Sequence, residues 1–248
     1  MSAPPGSAYE YWAIGAGATF TNGASIGTWT GQALGDVLTL TSGGTSSYDS
    51  ATGMIHLTAN GGYLGTGQYT LTQPYSMAVY LDADSGVVNI GNVFNSTSNL
   101  NASFFTNGGG QCAQTSDNTN TIVWNTPAIN TGTQFTVMWV FNGSSAKCYV
   151  NGLSQTINSG TTVGTTNLSN SVFQVNGASG GNNGVSLRLG SVVLYNNDAS
   201  ANAAAIDTWL RAQPPAASTT GQRARGRHTT TGGNFAPLTP GGRIMGPR

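Results

Sequence analysis

Charged residues are scarce in this sequence. Asp, Glu, Lys and Arg make up 6% of the 248 residues, whereas the usual share is roughly a quarter. Gly, Ser, Thr and Asn take their place, and these short side chains favour strands and turns over helix interiors. The sequence therefore predicts a β-protein with a polar but largely uncharged surface, as expected of a protein exposed outside cells.

Long apolar runs and a recognisable export signal are also missing. No run of about 18 apolar residues occurs, so no membrane span is predicted. The first residues, MSAPPGSAYEYWAIGAGATF, lack a basic segment followed by an apolar one, so we expect no signal peptide. Three interpretations remain open: secretion by another route, loss of a leader, or synthesis in a host cytoplasm with release on lysis, which describes a virion protein.

Cysteine and histidine are too few for most catalytic or metal centres. The chain has two of each, Cys112, Cys148, His56 and His228. The cysteines lack metal-site spacing, and they are either two buried thiols or one mutual disulfide. His56 lies in an apolar segment and is predicted to be a core or rim residue. We expect no His-based triad or metal cluster in the folded body.

The few charges that are present are segregated along the chain. Residues 1–213 hold all eight acids and three bases, a formal charge of −5, while residues 214–248 hold five arginines and no acid. The second segment, called the arm below, is rich in Pro, Gly, Ser and Thr and has few apolar residues. We expect the arm to be disordered alone and to become ordered only against another surface.

The arm carries two kinds of candidate contact residue. Arg223, Arg225 and Arg227 alternate, so an extended chain would present all three on one side to carboxylates or phosphates. Isolated apolar residues and two further arginines follow, namely Phe235, Leu238, Arg243, Ile244, Met245 and Arg248. This pattern favours a protein partner. Nucleic-acid binding is less favoured because five arginines make a thin basic stripe, and a plain solubility tail is the other alternative.

The sequence of the body predicts short strands that are separated by turn residues. Short segments, many of them with period-two alternation, lie at 36–42, 53–59, 75–82, 87–94, 102–106, 121–125, 134–142, 146–153, 171–177 and 185–196, and about ten to fourteen strands fit. Segment 134–142 has apolar residues on both faces, which predicts a strand covered on both sides. Asn142-Gly143 and Asn151-Gly152 predict hairpin turns.

One amphipathic helix is predicted over residues 200–213, where Ile206, Trp209 and Leu210 share a face. Pro214 and Pro215 end it. The predicted organisation is therefore one body, residues 1–213, closed by this helix, followed by the arm, residues 214–248.

Three segments in this order carry a family resemblance: GGYLGTGQYTLTQPYSMAVYLD, FTVMWVFNGSSAKCYVNGL and LRLGSVVLYNNDASANAAAIDTWL. Together they resemble the concanavalin A-like, laminin-G-like jelly rolls of bacterial and phage proteins, over roughly residues 60–213. The resemblance implies an all-β, antiparallel jelly-roll sandwich with one C-terminal helix, here extended by the basic arm.

Enzymes of the superfamily that this chain resembles cleave glycans with paired carboxylates. The only closely spaced acids are Asp82 and Asp84, at the end of a predicted strand. We interpret them mainly as polar turn residues, with a rim calcium site as the alternative, and we expect the protein not to be an enzyme. No other cofactor is predicted.

Aromatic residues offer an alternative in glycan binding. Stacking platforms for sugars are possible at Trp12, Trp29, Tyr63, Tyr69 and Trp124, although core packing explains such residues equally well. The leading hypothesis is a capsid-decorating accessory protein on the virion surface, attached through the arm to capsid proteins or neighbouring copies. The rival hypothesis is a lectin-like module for surface glycans.

Overall fold

The computed structural model describes residues 2–41, 44–58, 62–84, 89–96, 101–105, 111–117, 119–127, 132–176 and 186–212. These residues form seventeen strands and one α-helix. In chain order, the elements are β1 (Glu10–Trp12), β2 (Thr28–Thr30), β3 (Val37–Leu40), β4 (Ser46–Asp49), β5 (Met54–Leu57), β6 (Tyr63–Leu71), β7 (Tyr75–Ala83), β8 (Asn89–Ser96), β9 (Asn101–Phe105), β10 (Gln111–Thr115), β11 (Ile122–Asn125), β12 (Gln134–Phe141), β13 (Lys147–Val150), β14 (Leu153–Ser154), β15 (Thr156–Ser159), β16 (Leu168–Val175), β17 (Leu187–Tyr195) and α1 (Ala203–Arg211).

The strands form two antiparallel sheets. The eight-stranded sheet has the order β14-β13-β12-β7-β17-β5-β4, with β1 paired to β17 beside this path, and the nine-stranded sheet has the order β15-β11-β10-β9-β8-β16-β6-β3-β2. Consecutive strands repeatedly lie in different sheets, as β6 and β7 or β11 and β12 do. This confirms the predicted all-β jelly-roll sandwich with a single C-terminal helix.

The main core lies between the two sheets, and β12 shows how the sequence specifies it. Phe135, Val137 and Trp139 alternate along this strand and belong to the inter-sheet core, whereas Met138 and Val140 belong to a second cluster on the outer face. A strand with side chains buried on both faces reads as a nearly continuous apolar run. The prediction of a strand covered on both sides is confirmed.

Helix α1 and the N-terminal segment cover part of that outer face. Ile206, Trp209 and Leu210 are buried as the helical pattern predicted, and a 3-10 turn, Ser200–Asn202, precedes the α-helix. Trp209 Nε1 donates to the carbonyl of Ser2 at 3.0 Å. Among the described residues, no helix has the length and apolar character needed to cross a bilayer.

The hairpin turn between β13 and β14 has the backbone that its sequence requires. Asn151 and Gly152 have φ angles of 52° and 73°, the left-handed conformation that Asn-Gly pairs adopt in two-residue turns. A Cβ on Gly152 would lie 3.0 Å from the Cα of Ala204 in α1. The glycine is therefore needed both for the turn and for the close approach of the helix. At the other predicted turn, Gly143–Ser145 forms a short 3-10 segment between β12 and β13.

Candidate functional site

A row of polar side chains crosses the outer face of the eight-stranded sheet beside the region that α1 covers. Strand pairing places the members opposite one another in the order Gln134, Asp82, Arg188, His56 and Ser47. The apolar residues next to them in the same strands belong to the inter-sheet core. Because successive side chains of a strand point to opposite faces, this row points outward.

Arg188 is the centre of an ionic cluster in this row. Its Nη1 atom lies 2.7 Å from Asp84 Oδ1 and 3.7 Å from Asp82 Oδ2, and its Nε atom lies 3.8 Å from Asp49 Oδ2. One guanidinium is therefore shared by three carboxylates. The side chain of Asp82 is only 6% exposed, so its charge depends on this counter-charge more than the other two do.

His56 and Ser186 complete the cluster. His56 Nε2 lies 2.6 Å from Asp84 Oδ2 and 3.3 Å from Ser186 Oγ, and the Ser186 hydroxyl donates to the same Asp84 oxygen. A Ser-His-Asp relay needs the serine and the aspartate on different nitrogens of the imidazole. Here both contact Nε2, so the hydrogen bonds among the three side chains do not match the relay of a serine hydrolase.

The two neighbouring aspartates have pKa values displaced in opposite directions. Burial raises the pKa of Asp82; Arg188 opposes the rise and Asp84 adds to it. Burial also acts to raise the pKa of Asp84, but hydrogen bonds from Ser186 and His56, together with the charges of His56 and Arg188, bring it below its ordinary value. Asp84 is thus the well-stabilised anion of the cluster, and Asp82 is the poorly solvated one.

Calcium binding at Asp82 and Asp84 stays a prediction, and it would require a rearrangement of this cluster. Asp82 and Asp84 do lie together, but Arg188 lies within 4 Å of both and of Asp49, so a Ca²⁺ ion would have to displace the guanidinium. No group of three or more His, Cys, Asp or Glu side chains in the described ranges is arranged to hold a metal ion. The acids instead share Arg188, and Asp84 is also hydrogen-bonded to His56 and Ser186.

The five aromatic residues considered as sugar platforms are core residues. Trp12, Trp29 and Tyr63 are 0% exposed, Tyr69 is 1% exposed and Trp124 is 3% exposed. The indole N–H groups of Trp12 and Trp29 donate to the backbone carbonyls of Asp36 and Ala16. The hydroxyl of Tyr63 donates to the backbone carbonyl of Ile26. A ring without accessible surface cannot stack on a ligand, so core packing is correct for these residues. Composition alone could not distinguish an exposed aromatic platform from a buried aromatic core residue.

An uncharged cavity lies instead beside the edge strand β2. It has a volume of about 410 Å³ and is lined by residues 17–19 and 25–28. Thr19, Ser25 and Thr28 contribute hydroxyl groups, and no lining residue is charged. Hydroxyls and backbone amides without a net charge suit a neutral polar ligand, and the volume falls in the lower part of the usual range for small-molecule sites. The sequence analysis missed this place because its residues are ordinary turn and strand residues.

Glu10, the sole glutamate of the chain, has a structural role that the sequence did not reveal. It is 0% exposed, and its carboxylate accepts four backbone hydrogen bonds, from the N–H groups of Tyr11, Ala33, Leu34 and Asp36 at 2.8–3.2 Å. These bonds tie β1 to the turn between β2 and β3. The carboxylate therefore fixes a turn and is closed to substrate.

The predicted contact residues of the arm lie outside the described residues. They are Arg223, Arg225, Arg227, Phe235, Leu238, Arg243, Ile244, Met245 and Arg248, and their roles remain predictions. Of the cluster residues, sequence analysis singled out Asp82 and Asp84 but missed Arg188, Ser186 and Asp49. A usable signal existed, because an arginine within the apolar strand LRLGSVVLY needs a counter-charge on a neighbouring strand.

Comparison with known proteins supports the fold. No protein-family model and no curated protein sequence matches the chain. Among solved structures, it is similar to the binding domain of botulinum neurotoxin serotype D, with 10% identity, 82% of this chain and 52% of that chain covered, and a TM-score of 0.57. It is also similar to a Trypanosoma rangeli sialidase in complex with sialic acid, with 14% identity, 82% and 32% covered, and a TM-score of 0.51.

A heptameric pentraxin from Limulus polyphemus matches more weakly, with 13% identity, 57% of this chain and 75% of that chain covered, and a TM-score of 0.48. The chain thus spans about half the length of the toxin binding domain and about a third of the sialidase. At these identities the toxin domain and the sialidase show only a shared β-sandwich fold, and the function has to be argued from the residues of this chain.

Proposed function

We propose that the protein is a non-enzymatic structural accessory protein of a virion. The sandwich is the displayed body, and the arm, residues 214–248, attaches it to capsid proteins or to neighbouring copies. The proposal combines the β-sandwich of the body with the cationic sequence that follows it.

The observation that carries the proposal is the pairing of every base in the body. Lys147 bonds to Asp198 at 2.9 Å, Arg211 bonds to Asp207 at 2.8 Å, and Arg188 is shared by the three aspartates of the cluster. The other five basic residues of the chain are the arginines of the arm. Cationic contacts to a partner therefore fall to the arm, where an arginine can form charge-assisted, two-pronged hydrogen bonds with carboxylates.

The ionic cluster supports a non-catalytic role for the body. Its histidine contacts both Ser186 and Asp84 through one nitrogen, and Asp82 is buried against Arg188. Neither arrangement provides an accessible acid–base pair of the kind that glycan cleavage requires. We expect the purified full chain to show no hydrolase activity above that of an Asp84→Asn variant.

Incorporation into particles tests the proposal. Virions are purified on a density gradient from a host that is infected with the virus encoding the chain and supplies either the full chain or a chain ending at residue 213. The full chain should copurify with particles, whereas the truncated chain should fold, with an unchanged β-type circular dichroism spectrum, and remain in the supernatant. A truncated body incorporated at the normal copy number would overturn the proposal.

A matched pair of variants separates charge from length. Changing all five arginines of the arm to glutamine keeps the length of the arm but removes its charge. Changing them to lysine keeps the charge but removes the planar guanidinium groups, which can bind a carboxylate through two hydrogen bonds. The glutamine variant should lose incorporation, most strongly in physiological salt, and the lysine variant should retain part of it. Equal incorporation of all three full-length chains would show that the arginines are not the attachment residues.

A second candidate is glycan binding by the body, favoured by the uncharged cavity beside β2. The sialidase to which the chain is similar in fold was solved in complex with sialic acid. From that comparison we take only the suggestion that the ligand of this cavity is a sugar. A glycan array probed with the full chain should then give specific signals that are lost in a Thr28→Val variant. The matched control is Ser47→Ala on the outer face of the other sheet. Array signals that survive Thr28→Val, or no signal at all, would exclude the cavity as a glycan site.

A further inference from the structure

The two cysteines of the chain face each other across the sandwich. Cys112 lies in β10 of the nine-stranded sheet and Cys148 in β13 of the eight-stranded sheet. Both are buried, both are free thiols, and both belong to the core between the sheets. They are the only cysteines in the sequence, so neither has another partner within the chain.

An independent contact fixes how the two strands meet. Gln114, two residues beyond Cys112 on the same face of β10, donates from Nε2 to the carbonyl of Val140 in β12 at 3.0 Å. In the adjoining pair of strands, Cys148 lies opposite Trp139, the residue before Val140. This inter-sheet hydrogen bond brings β10 over the β12–β13 pair at the level of both thiols.

The chemistry of Cys112 agrees with that geometry. Burial raises the pKa of the Cys112 thiol well above its ordinary value, and a hydrogen bond with the neighbouring Cys148 side chain adds to the rise. A thiol held in this protonated state is a poor nucleophile. The closed sandwich therefore protects the pair from reagents in solution.

We propose that Cys112 and Cys148 form an oxidation site, which becomes an inter-sheet disulfide when the chain folds in the presence of a low-molecular-weight disulfide. The bond would join the two sheets directly and would form where the chain folds in an oxidising environment. This inference concerns the body alone and does not depend on the attachment role of the arm.

The exchange with glutathione disulfide as oxidant proceeds in two balanced steps. The thiolate of one cysteine attacks a sulfur of glutathione disulfide, which forms a mixed disulfide and releases one glutathione thiolate. The thiolate of the other cysteine then attacks the protein sulfur of that mixed disulfide, which forms the Cys112–Cys148 bond and releases the second glutathione thiolate. Two electrons pass from the protein to the oxidant, and the two thiol protons end on the two released glutathiones.

Because the folded pair is protected, the reaction should depend on whether the sandwich is open. The full chain is unfolded, reduced, and refolded either with a mixture of reduced and oxidised glutathione or with excess dithiothreitol. The glutathione sample should contain a monomer that is two hydrogens lighter by intact mass and has no reactive thiol after denaturation. Reduced protein that is already folded should resist the same mixture for much longer.

Three results would overturn the proposal: refolded monomer that keeps both thiols, stable glutathione adducts on both cysteines, or disulfide-linked dimers on a non-reducing gel. The comparison uses the natural chain in two redox states, so it does not depend on a variant that folds. A peptide map that joins the fragments containing Cys112 and Cys148 completes the assignment.

Thermal unfolding supplies a second readout. The oxidised monomer should unfold at a midpoint about 5–15 °C above that of the reduced monomer, because a cross-link restricts the unfolded chain. The matched control is the double variant Cys112→Ala, Cys148→Ala, whose midpoint should be the same under both refolding conditions. Equal midpoints for the oxidised and reduced natural chain would show that the bond, if formed, does not join the sheets in their native arrangement.

Discussion

The carboxylate of Glu10 occupies the space that a side chain on Gly31 would need. A Cβ atom at Gly31 would lie 2.4 Å from Glu10 Cδ, while the backbone N–H groups of three residues just beyond Gly31 point at the same carboxylate. Among the residues that the structure describes, this buried carboxylate has no ion-pair partner, and four backbone N–H groups satisfy its oxygens. The pair joins the N-terminal strand to the edge of the nine-stranded sheet.

Replacing Glu10 by Gln should lower the free energy of unfolding by about 2–4 kcal/mol. The amide keeps the shape of the side chain but places an NH2 group where two backbone N–H donors point, so at least one donor loses its acceptor. Urea unfolding followed by tryptophan fluorescence measures the change. As a control, Asp117→Asn makes the same chemical change in a partly exposed turn, where water can replace the hydrogen bonds from Thr119 and Asn120, and it should cost less than about 1 kcal/mol. Similar costs for the two variants would contradict the role assigned to Glu10.

Gly31→Ala should destabilise the protein by about 1–3 kcal/mol, because the added methyl group overlaps the Glu10 carboxylate and has no free space to enter. The matched control is Gly27→Ala, since a Cβ atom at Gly27 meets nothing within 4 Å. That variant should stay within about 0.5 kcal/mol of the natural protein. Thermal midpoints measured under identical conditions test whether Gly31→Ala is less stable than Gly27→Ala.

Arg188 and Lys147 should differ sharply in their contribution to stability. Arg188→Gln leaves three carboxylates without their shared cation, one of them 6% exposed, and should cost about 2–4 kcal/mol. Lys147 is 40% exposed in its pair with Asp198, so Lys147→Gln should cost less than about 1 kcal/mol and even less at high salt. Equal losses in chemical denaturation would show that the cluster around Arg188 is no more than a surface ion pair.

Asp84 and Asp82 should respond in opposite ways to removal of their charge. The pKa of Asp84 lies below its ordinary value of 3.8, so its charge stabilises the fold above that pH, and the contribution is lost as the pH falls through the folded pKa. Asp84→Asn should therefore be less stable than the natural protein at pH 7, with the difference shrinking below about pH 4.

For Asp82, the charge of the carboxylate has the opposite effect on the free energy of unfolding. Its pKa is raised by burial, so the folded state binds the proton more tightly than the unfolded state, and the charged form costs stability above the folded pKa. Asp82→Asn should therefore be tolerated within about 1 kcal/mol at pH 7. Unfolding curves from pH 3 to 7 for both variants would reveal the contrast. The fixed charge of Arg188 acts on both aspartates, so the two variants are best compared with each other.

The long strands that the sequence predicted have a pattern that reflects burial, but the short strands β1, β4 and β10 were missed although their burial also alternates. β7, β12 and β17 are long and apolar, and their alternation matches the faces found in the structure. β15 was missed because all four of its residues are exposed, so burial leaves no pattern in its sequence. β6 was missed because glycines interrupt its alternation.

The ionic cluster shows why a site is harder to predict than a fold. Asp84 and Arg188 are 104 residues apart in sequence, and only the register between β7 and β17 brings them together. A shift of one residue would turn the arginine into the core. The aromatic residues failed as site predictions for a related reason, since the same residue types serve cores and sugar platforms, and only burial distinguishes the two.

The position of α1 also determines where tension would enter the body. The helix packs on β12, β7 and β17, which are interior strands of their sheet, and its Trp209 is bonded to the N-terminal segment. A pull on the chain beyond residue 212 would therefore act first on α1 and on its packing against central strands of the sheet, and not on an edge strand. Detaching the helix would expose the buried side chains of Ile206, Trp209 and Leu210, so the hydrophobic effect opposes such a pull.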